Sequence, residues 1–173
     1  MFNFNIKKME PVNKKESEMT PYEKALYYID NAKTILKEKA IKNDKYYQNP
    51  KYVKVAGHLL WSAVLIMLEA VYMLEKKIKL KRGERISFKN YQIQVSKQDS
   101  KVSSTLESAY NTLHRSMGYD GHANVKIIND GISEAMYCIN WLKNRIPKNS
   151  INGVSESKDS ENITNYDKDN ALG

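Results

Sequence analysis

Hydrophobic side chains recur every three or four positions along four segments of the chain, which is the spacing of one face of a helix. The segments cover residues 20–41, 50–77, 87–117 and 125–146, and the third has a weakly apolar stretch at 96–101 that predicts a kink. Strand signals are weak throughout, and no internal repeat is present. The pattern therefore predicts an all-α domain, an up-down-up-down four-helix bundle with short connections.

Capping residues mark the predicted helix boundaries. Thr20, Pro21 and Glu23 form a capping box with proline at the first helical position. The fourth segment has the clearest apolar stripe, and Pro147 ends it. We expect a flexible N-terminal arm (residues 1–19), a helical domain (20–146) and a disordered C-terminal tail (147–173) that is too polar to bury a core.

The second segment contains an apolar run of about twenty residues, 55–74, which is long enough to span a bilayer. His58, Ser62 and Glu69 lie within it, and such groups are costly in lipid. A helix at the centre of the bundle explains this apolar run without a membrane. In such a helix we expect His58 to be a hydrogen-bonded core residue. The lone Cys138 and the lack of an apolar leader favour a cytoplasmic location.

The formal net charge is +8, which favours anionic partners without specifying a fold. The strongest local concentration is KKIKLKRGER, residues 76–85. This basic cluster predicts weak polyanion binding, although a solvated lysine-rich surface accounts for it equally well. Its basic residues are Lys76, Lys77, Lys79, Lys81, Arg82 and Arg85.

The stretch LHRSMGYDGHANV, residues 113–125, joins the third and fourth helices. Turn chemistry explains much of it: Gly118 suits a left-handed residue that ends the third helix, and Asp120 or Asn124 suits a cap of the fourth. In an up-down bundle this bend lies beside the first connection, residues 42–49. Both connections would then contribute binding residues: His114, Tyr119 and Asp120 from the bend, with Lys42, Lys45, Tyr46 and Tyr47 from the first connection.

Arg115 and His122 have the spacing R-x6-H and suggest a catalytic role for the bend. A histidine moves protons near neutral pH, and an arginine stabilises a phosphate. Together they would suffice for metal-independent cleavage of a phosphodiester by its neighbouring 2′-hydroxyl. His114 points about 100° from Arg115 on an α-helix, so we expect it at the surface or as a second proton carrier. The scattered histidines suggest no metal site, and no cofactor is implied.

A helical bundle with this spacing between helices 3 and 4 resembles the HEPN superfamily. More narrowly, LHRSMGYDGHANVKIINDGI and AGHLLWSAVLIMLEAVYML resemble a small bacterial family of helical bundles of unknown function, with a Gly-Tyr-Asp-Gly loop at residues 118–121. The HEPN resemblance implies either metal-independent ribonucleases, often homodimers, or domains that bind nucleotides or partner proteins such as a nucleotidyltransferase. Ser116 and Asn124 depart from the residues found in active ribonucleases and in nucleotidylated toxins, respectively.

Three functions follow from these observations. The favoured one is a cytoplasmic binding or interaction module, for a nucleotide, RNA or a partner protein. The second is an endoribonuclease that uses Arg115 and His122. The third is a structural partner subunit, whose lysines only maintain solubility.

Deleting residues 148–173 should leave thermal stability nearly unchanged. The segment has few apolar side chains, so it offers little surface to bury against the helices. Thermal unfolding followed by circular dichroism, for the full chain and the truncated form, measures the effect. A large drop in melting temperature on truncation would show that the tail packs against the domain.

Overall fold

The computed structural model describes residues 15–147; most of the expected arm and tail (1–14 and 148–173) lies outside the described residues. The described part is all-α, apart from a two-stranded hairpin of β1 (Lys42–Asn43) and β2 (Tyr46–Tyr47). The helices are α1 (Pro21–Glu38), α2 (Pro50–Lys76), α3 (Phe88–Ser96), α4 (Ser100–Ala109) and α5 (Val125–Lys143), and α4 continues as a π-helix (Tyr110–Asp120). The predicted all-α class is confirmed.

The capping box predicted at the start of α1 is present. The Thr20 hydroxyl accepts a hydrogen bond from the Glu23 backbone nitrogen (3.2 Å), and the Glu23 carboxylate accepts one from the Thr20 nitrogen (2.9 Å). At the start of α5, the Asn124 side chain accepts from the nitrogens of Lys126 and Ile127. These side chains satisfy backbone donors that have no partner within the helix.

The predicted third helix is divided. α3 ends at Ser96, and the Asp99 carboxylate caps α4 by accepting hydrogen bonds from the nitrogens of Lys101 and Val102. The break falls in the stretch 96–101, where the weak apolar pattern predicts a kink. The polar stretch offers little apolar surface to hold a straight helix, so the aspartate starts a new one instead.

The helices enclose one hydrophobic core. α1 packs along α2, α2 also contacts the π-helix and α5, and α4 packs on α5. α2 is long and apolar enough to cross a membrane by length and composition, but half of its apolar window is buried against the other helices. Such burial is the ordinary situation of a core helix. The largest fully buried side chains include Ile29, Leu60, Met67, Leu106, Leu113, Met117, Ile128 and Ile139.

A close backbone contact joins α2 to the π-helix. A Cβ atom placed on Gly57 would lie 2.7 Å from both the Gly118 nitrogen and the Leu113 carbonyl oxygen. The sequence-based assignment of Gly118 as the left-handed end of the third helix is wrong: Gly118 is buried within the π-helix, and Gly121, with φ of 72°, ends it. The small size of Gly118 therefore serves packing, whereas Gly121 supplies the left-handed turn.

Residues 15–19, expected within the flexible arm, have a defined conformation. Glu16–Glu18 form a turn of 3₁₀-helix that leads to the cap at Thr20. The Glu16 carboxylate pairs with the Lys24 ammonium (2.9 Å) and accepts a hydrogen bond from the Tyr28 hydroxyl (3.1 Å). These contacts lower the pKa of Glu16, first through the bond from Lys24 and then through that from Tyr28. The chain is thus fixed to α1 just before the helix begins.

Gly57→Ala should destabilise the protein by about 2 kcal/mol, because the added methyl group meets backbone atoms that cannot move aside. Gly118→Ala is the milder comparison, since its methyl group would lie 3.1 Å from the His58 ring, which can rotate away, and no closer than 3.2 Å to the nearest backbone atom, the Leu113 carbonyl oxygen. Urea unfolding of both variants and the wild type gives the two free energies. Equal losses at both positions would contradict the role assigned to the Gly57 contact.

Candidate functional site

The first connection and the bend before α5 meet at one end of the domain. The Tyr47 nitrogen donates to the Ala123 carbonyl oxygen, and the Val125 nitrogen donates to the Lys45 carbonyl oxygen, both at 2.9 Å. Tyr46 and Asn124 form an antiparallel bridge between these bonds. The predicted adjacency of these two connections is therefore confirmed, and its cause is an isolated backbone bridge between the hairpin and residue 124 that the sequence pattern does not reveal.

The π-helix lines up the side chains of a cleft of about 410 Å³. In an α-helix, residues five apart point about 140° away from each other. The wider turn of a π-helix, with its i→i+5 hydrogen bonds, brings residues five apart onto one side instead. The five residues that line the cleft follow this period, as the series 110, 115, 120 and the pair 114, 119: Tyr110, His114, Arg115, Tyr119 and Asp120.

Aromatic rings form the inner wall beside this cleft. Phe88 and Tyr110 stack with centroids 4.3 Å apart, and Trp61 packs edge-on against Tyr110 at 5.2 Å. The His114 ring lies 5.1 Å from Tyr110 and 6.0 Å from Trp61. These contacts hold Tyr110 and His114 in place, because packed rings from α2 and α3 restrict their rotation.

The outer edge of the cleft is polar and accessible. Arg115 is exposed, and its guanidinium donates to the Asn111 side-chain oxygen at 3.4 Å. Tyr119 is 66% exposed, and its ring lies 5.4 Å from His114 and 6.4 Å from His58. Asp120 is also exposed. The cleft therefore offers a cation, a carboxylate and an aromatic face to solvent, with further rings behind them.

His114 is the buried polar group of the site. Its ring is half-buried, and its Nδ1 atom is inaccessible and has no hydrogen-bond partner among the described residues. Burial, and then the neighbouring His58 ring at 6.2 Å, lower the pKa of His114 below its ordinary value. The imidazole is therefore neutral at pH 7 and can accept a proton.

Two histidines occupy places that the sequence pattern did not predict. His114, expected at the surface, turns inward, because the π-helix rotates it toward Tyr119. His58, expected in the core, is exposed at the edge of α2, and its ring lies against the site of Gly118. The predicted site residues did not include four residues in or beside the cleft: His58, Trp61, Phe88 and Tyr110. The sequence feature that could have pointed to them was the close spacing of Gly57, His58 and Trp61 on one predicted helix.

His122 lies apart from the cleft lining. It follows the left-handed Gly121, its side chain is exposed, and its backbone nitrogen donates to the Ser116 carbonyl oxygen at 2.9 Å. Arg115 lines the cleft and His122 does not. The structure thus groups Arg115 with His114 rather than with the histidine of the R-x6-H spacing.

The remaining predicted binding residues lie on two other surfaces. Lys42, Lys45 and Tyr46 are exposed on the hairpin, whereas Tyr47 is half-buried, and burial raises its pKa. The basic cluster, residues 76–85, follows α2, and Lys77 and Lys79 line an apolar groove with Pro21 and Ile146. Within residues 15–147, no three His, Cys, Asp or Glu side chains are placed to hold a metal ion.

Comparisons with known proteins agree with a family of unknown function. A protein of unknown function from Dyadobacter fermentans, whose structure has been solved, is 34% identical over 73% of this chain and 96% of its own, with a TM-score of 0.65. No curated protein gives a significant match. The model of the domain of unknown function DUF5618 matches residues 20–144, which include every α-helix described above. The chain therefore belongs to the DUF5618 family.

Proposed function

We propose that this domain binds a nucleotide or a short stretch of single-stranded RNA in the cleft along the π-helix. The observation that carries the proposal is the placement of the exposed Arg115 guanidinium and the exposed Tyr119 ring in one cleft. A guanidinium binds phosphate through paired hydrogen bonds, and an aromatic ring stacks on a base. The net charge of +8 would favour approach of an anionic chain.

At the same end of the domain, lysines next to the cleft would contact a ligand longer than one nucleotide. Lys42 and Lys45 lie on the hairpin, and the hairpin is hydrogen-bonded to the chain at Ala123 and Val125, just after the π-helix. A single-stranded nucleic acid would place one base against Tyr119 and pass its backbone toward these lysines. Such binding depends on stacking and charge, so it tolerates different base sequences.

The proposed likeness to HEPN domains is based on the arrangement of the helices. We include in the proposal that α3, α4 and the π-helix act as one broken helix, which would give the domain the connectivity of an up-down-up-down four-helix bundle similar to HEPN domains. We extend the proposal to a cytoplasmic bacterial protein that forms a homodimer and acts beside a partner such as a nucleotidyltransferase. The basic cluster at 76–85 would add weak, sequence-independent polyanion binding.

Arg115→Ala should weaken RNA binding at least about tenfold, since a hydrogen bond to a charged group contributes about 2 kcal/mol. Tyr119→Ala should have a similar effect through lost stacking, whereas Tyr119→Phe should bind like the wild type. Fluorescence anisotropy with labelled oligoadenylate and oligouridylate measures the affinities, and calorimetry with ATP tests a mononucleotide.

Tyr137→Ala is the matched control for Tyr119→Ala, because Tyr137 is an exposed tyrosine on α5 and does not line the cleft. Its affinity should equal that of the wild type. Binding by Arg115→Ala and Tyr119→Ala that matches the wild type would remove the cleft as the binding site, and a wild type that binds none of these probes would end the proposal.

A second candidate function is a metal-independent endoribonuclease, and one observation favours it. His114, whose pKa is lowered by burial, lines the same cleft as Arg115. In this version the imidazole of His114 takes the proton of an RNA 2′-hydroxyl as its oxygen attacks phosphorus. The bond to the 5′-oxygen breaks, the departing oxygen takes that proton back from the imidazolium, and a 2′,3′-cyclic phosphate forms while Arg115 stabilises the charge on the phosphate.

Cleavage of total RNA in EDTA, with variants of both histidines, tests this candidate. His114→Ala should lower the rate at least about a hundredfold, as expected for loss of a general base, and His122→Ala should retain the wild-type rate. The reverse ranking would restore the R-x6-H pair as the catalytic residues. Because the pKa of His114 is lowered, the base form persists on acidification, so the rate should fall only below the usual range of histidine titration. If total RNA stays intact with the wild-type protein, the ribonuclease candidate is excluded and only the binding function remains.

A further inference from the structure

An apolar groove of about 560 Å³ lies at the end of the domain opposite the hairpin. It is lined by Ala70, Met73, Leu74 and Ile78 from α2 and its continuation, with Pro21 and Ile146 at its sides. Leu74 and Ile78 are each 43% exposed, so two large aliphatic side chains here are covered only in part by residues 15–147. An exposed contiguous apolar surface of this kind is typical of a site that binds another segment or molecule.

The N-terminal chain enters the structure beside this groove. Glu16 pairs with Lys24 in the first turns of α1, and Pro21, which begins that helix, lines the groove. The first described residues are therefore fixed to the domain at the edge of the groove.

The residues that precede this point have an unusual composition. The chain has three phenylalanines, and two of them, Phe2 and Phe4, stand in the stretch MFNFNI at its start. Met1 and Ile6 bring further apolar side chains, and residues 1–6 carry no charged side chain. Burial of such a stretch is favourable, because its apolar side chains leave water.

We propose that Phe2, Phe4 and Ile6 dock into the apolar groove formed by Met73, Leu74, Ile78 and Ile146. Residue 4 lies eleven positions before Lys15, which gives an extended reach of about 36 Å. The groove begins at Pro21, next to the fixed chain, so the arm does not need to cross the domain. The C-terminal tail also leaves beside Ile146, but its apolar side chains are spread from Ile151 to Leu172, whereas those of the arm are concentrated in residues 2–6.

Disulfide trapping tests this contact directly, because the single native cysteine, Cys138, is buried. In the full chain, Phe4→Cys is combined with Leu74→Cys, and the control pair combines Phe4→Cys with Ile41→Cys. Ile41 is 60% exposed and follows the far end of α1. That helix spans about 27 Å, so the control position is also within reach of an extended arm.

Under mild oxidation, the 4–74 pair should form an intramolecular disulfide about ten times as fast as the 4–41 pair, since the bond requires Cα atoms within about 7 Å. Mass spectrometry of non-reduced peptides identifies the product, and circular dichroism checks that each variant is folded. Equal rates would overturn the proposal. A disulfide-linked dimer through the 4–74 pair would assign the groove to the arm of a second copy, which also overturns it as stated.

Removal of the apolar side chains gives a second measurement without cysteines. Phe2→Ser with Phe4→Ser should increase the fluorescence of an apolar dye such as 1-anilinonaphthalene-8-sulfonate and should lower the melting temperature. Asn3→Ser with Asn5→Ser is the matched control and should change neither. If the phenylalanine variant behaves like this control, the arm does not cover the groove. Deletion of 148–173 that alone raises dye binding would assign the groove to the tail.

Discussion

The contact of Gly57 with the backbone of the π-helix is the constraint on which the rest of the candidate site depends. Because neither Gly57 nor Gly118 carries a side chain, α2 approaches the segment closely enough for main-chain atoms to pack against each other. This fixes the depth and rotation of the π-helix relative to α2. The rings of His58 and Trp61, on the same stretch of α2, then meet His114 and Tyr119 in defined positions.

The helical winding of this segment decides which side chains form the cleft. Residues at a spacing of five converge, whereas the α-helical spacing used by the remaining helices would have scattered them around the axis. A π-helix is less favourable than an α-helix, so it persists only where tertiary packing supports it. Here the support comes from the glycine contact on one side and from Thr112 and Leu113 packed at Gly131 of α5 on the other.

Much of the fold could be predicted from the sequence, because caps and apolar periodicity act locally. Thr20 and Asn124 mark helix starts in the sequence and in the structure, and the polar stretch around Asp99 marks the break between α3 and α4. The pairing of the hairpin with Asn124 could be predicted only as proximity. The cleft could not be predicted, since a change of helical winding leaves no periodic signal when the residues involved are polar and aromatic. For that reason His114 was assigned to the wrong side of its helix, and Gly118 to a turn rather than to a packing contact.

The winding of the π-helix makes the segment sensitive to its length as well as to its composition. Loss or gain of one residue between Tyr110 and Gly121 would change which positions share a side, and such a change between Arg115 and Tyr119 would turn the guanidinium away from the ring. Substitutions within the segment alter one group at a time, whereas a change in length alters the alignment of all of them. Among related domains, the number of residues between the end of α4 and the left-handed glycine is therefore a more informative marker of a shared site than the identity of any one side chain.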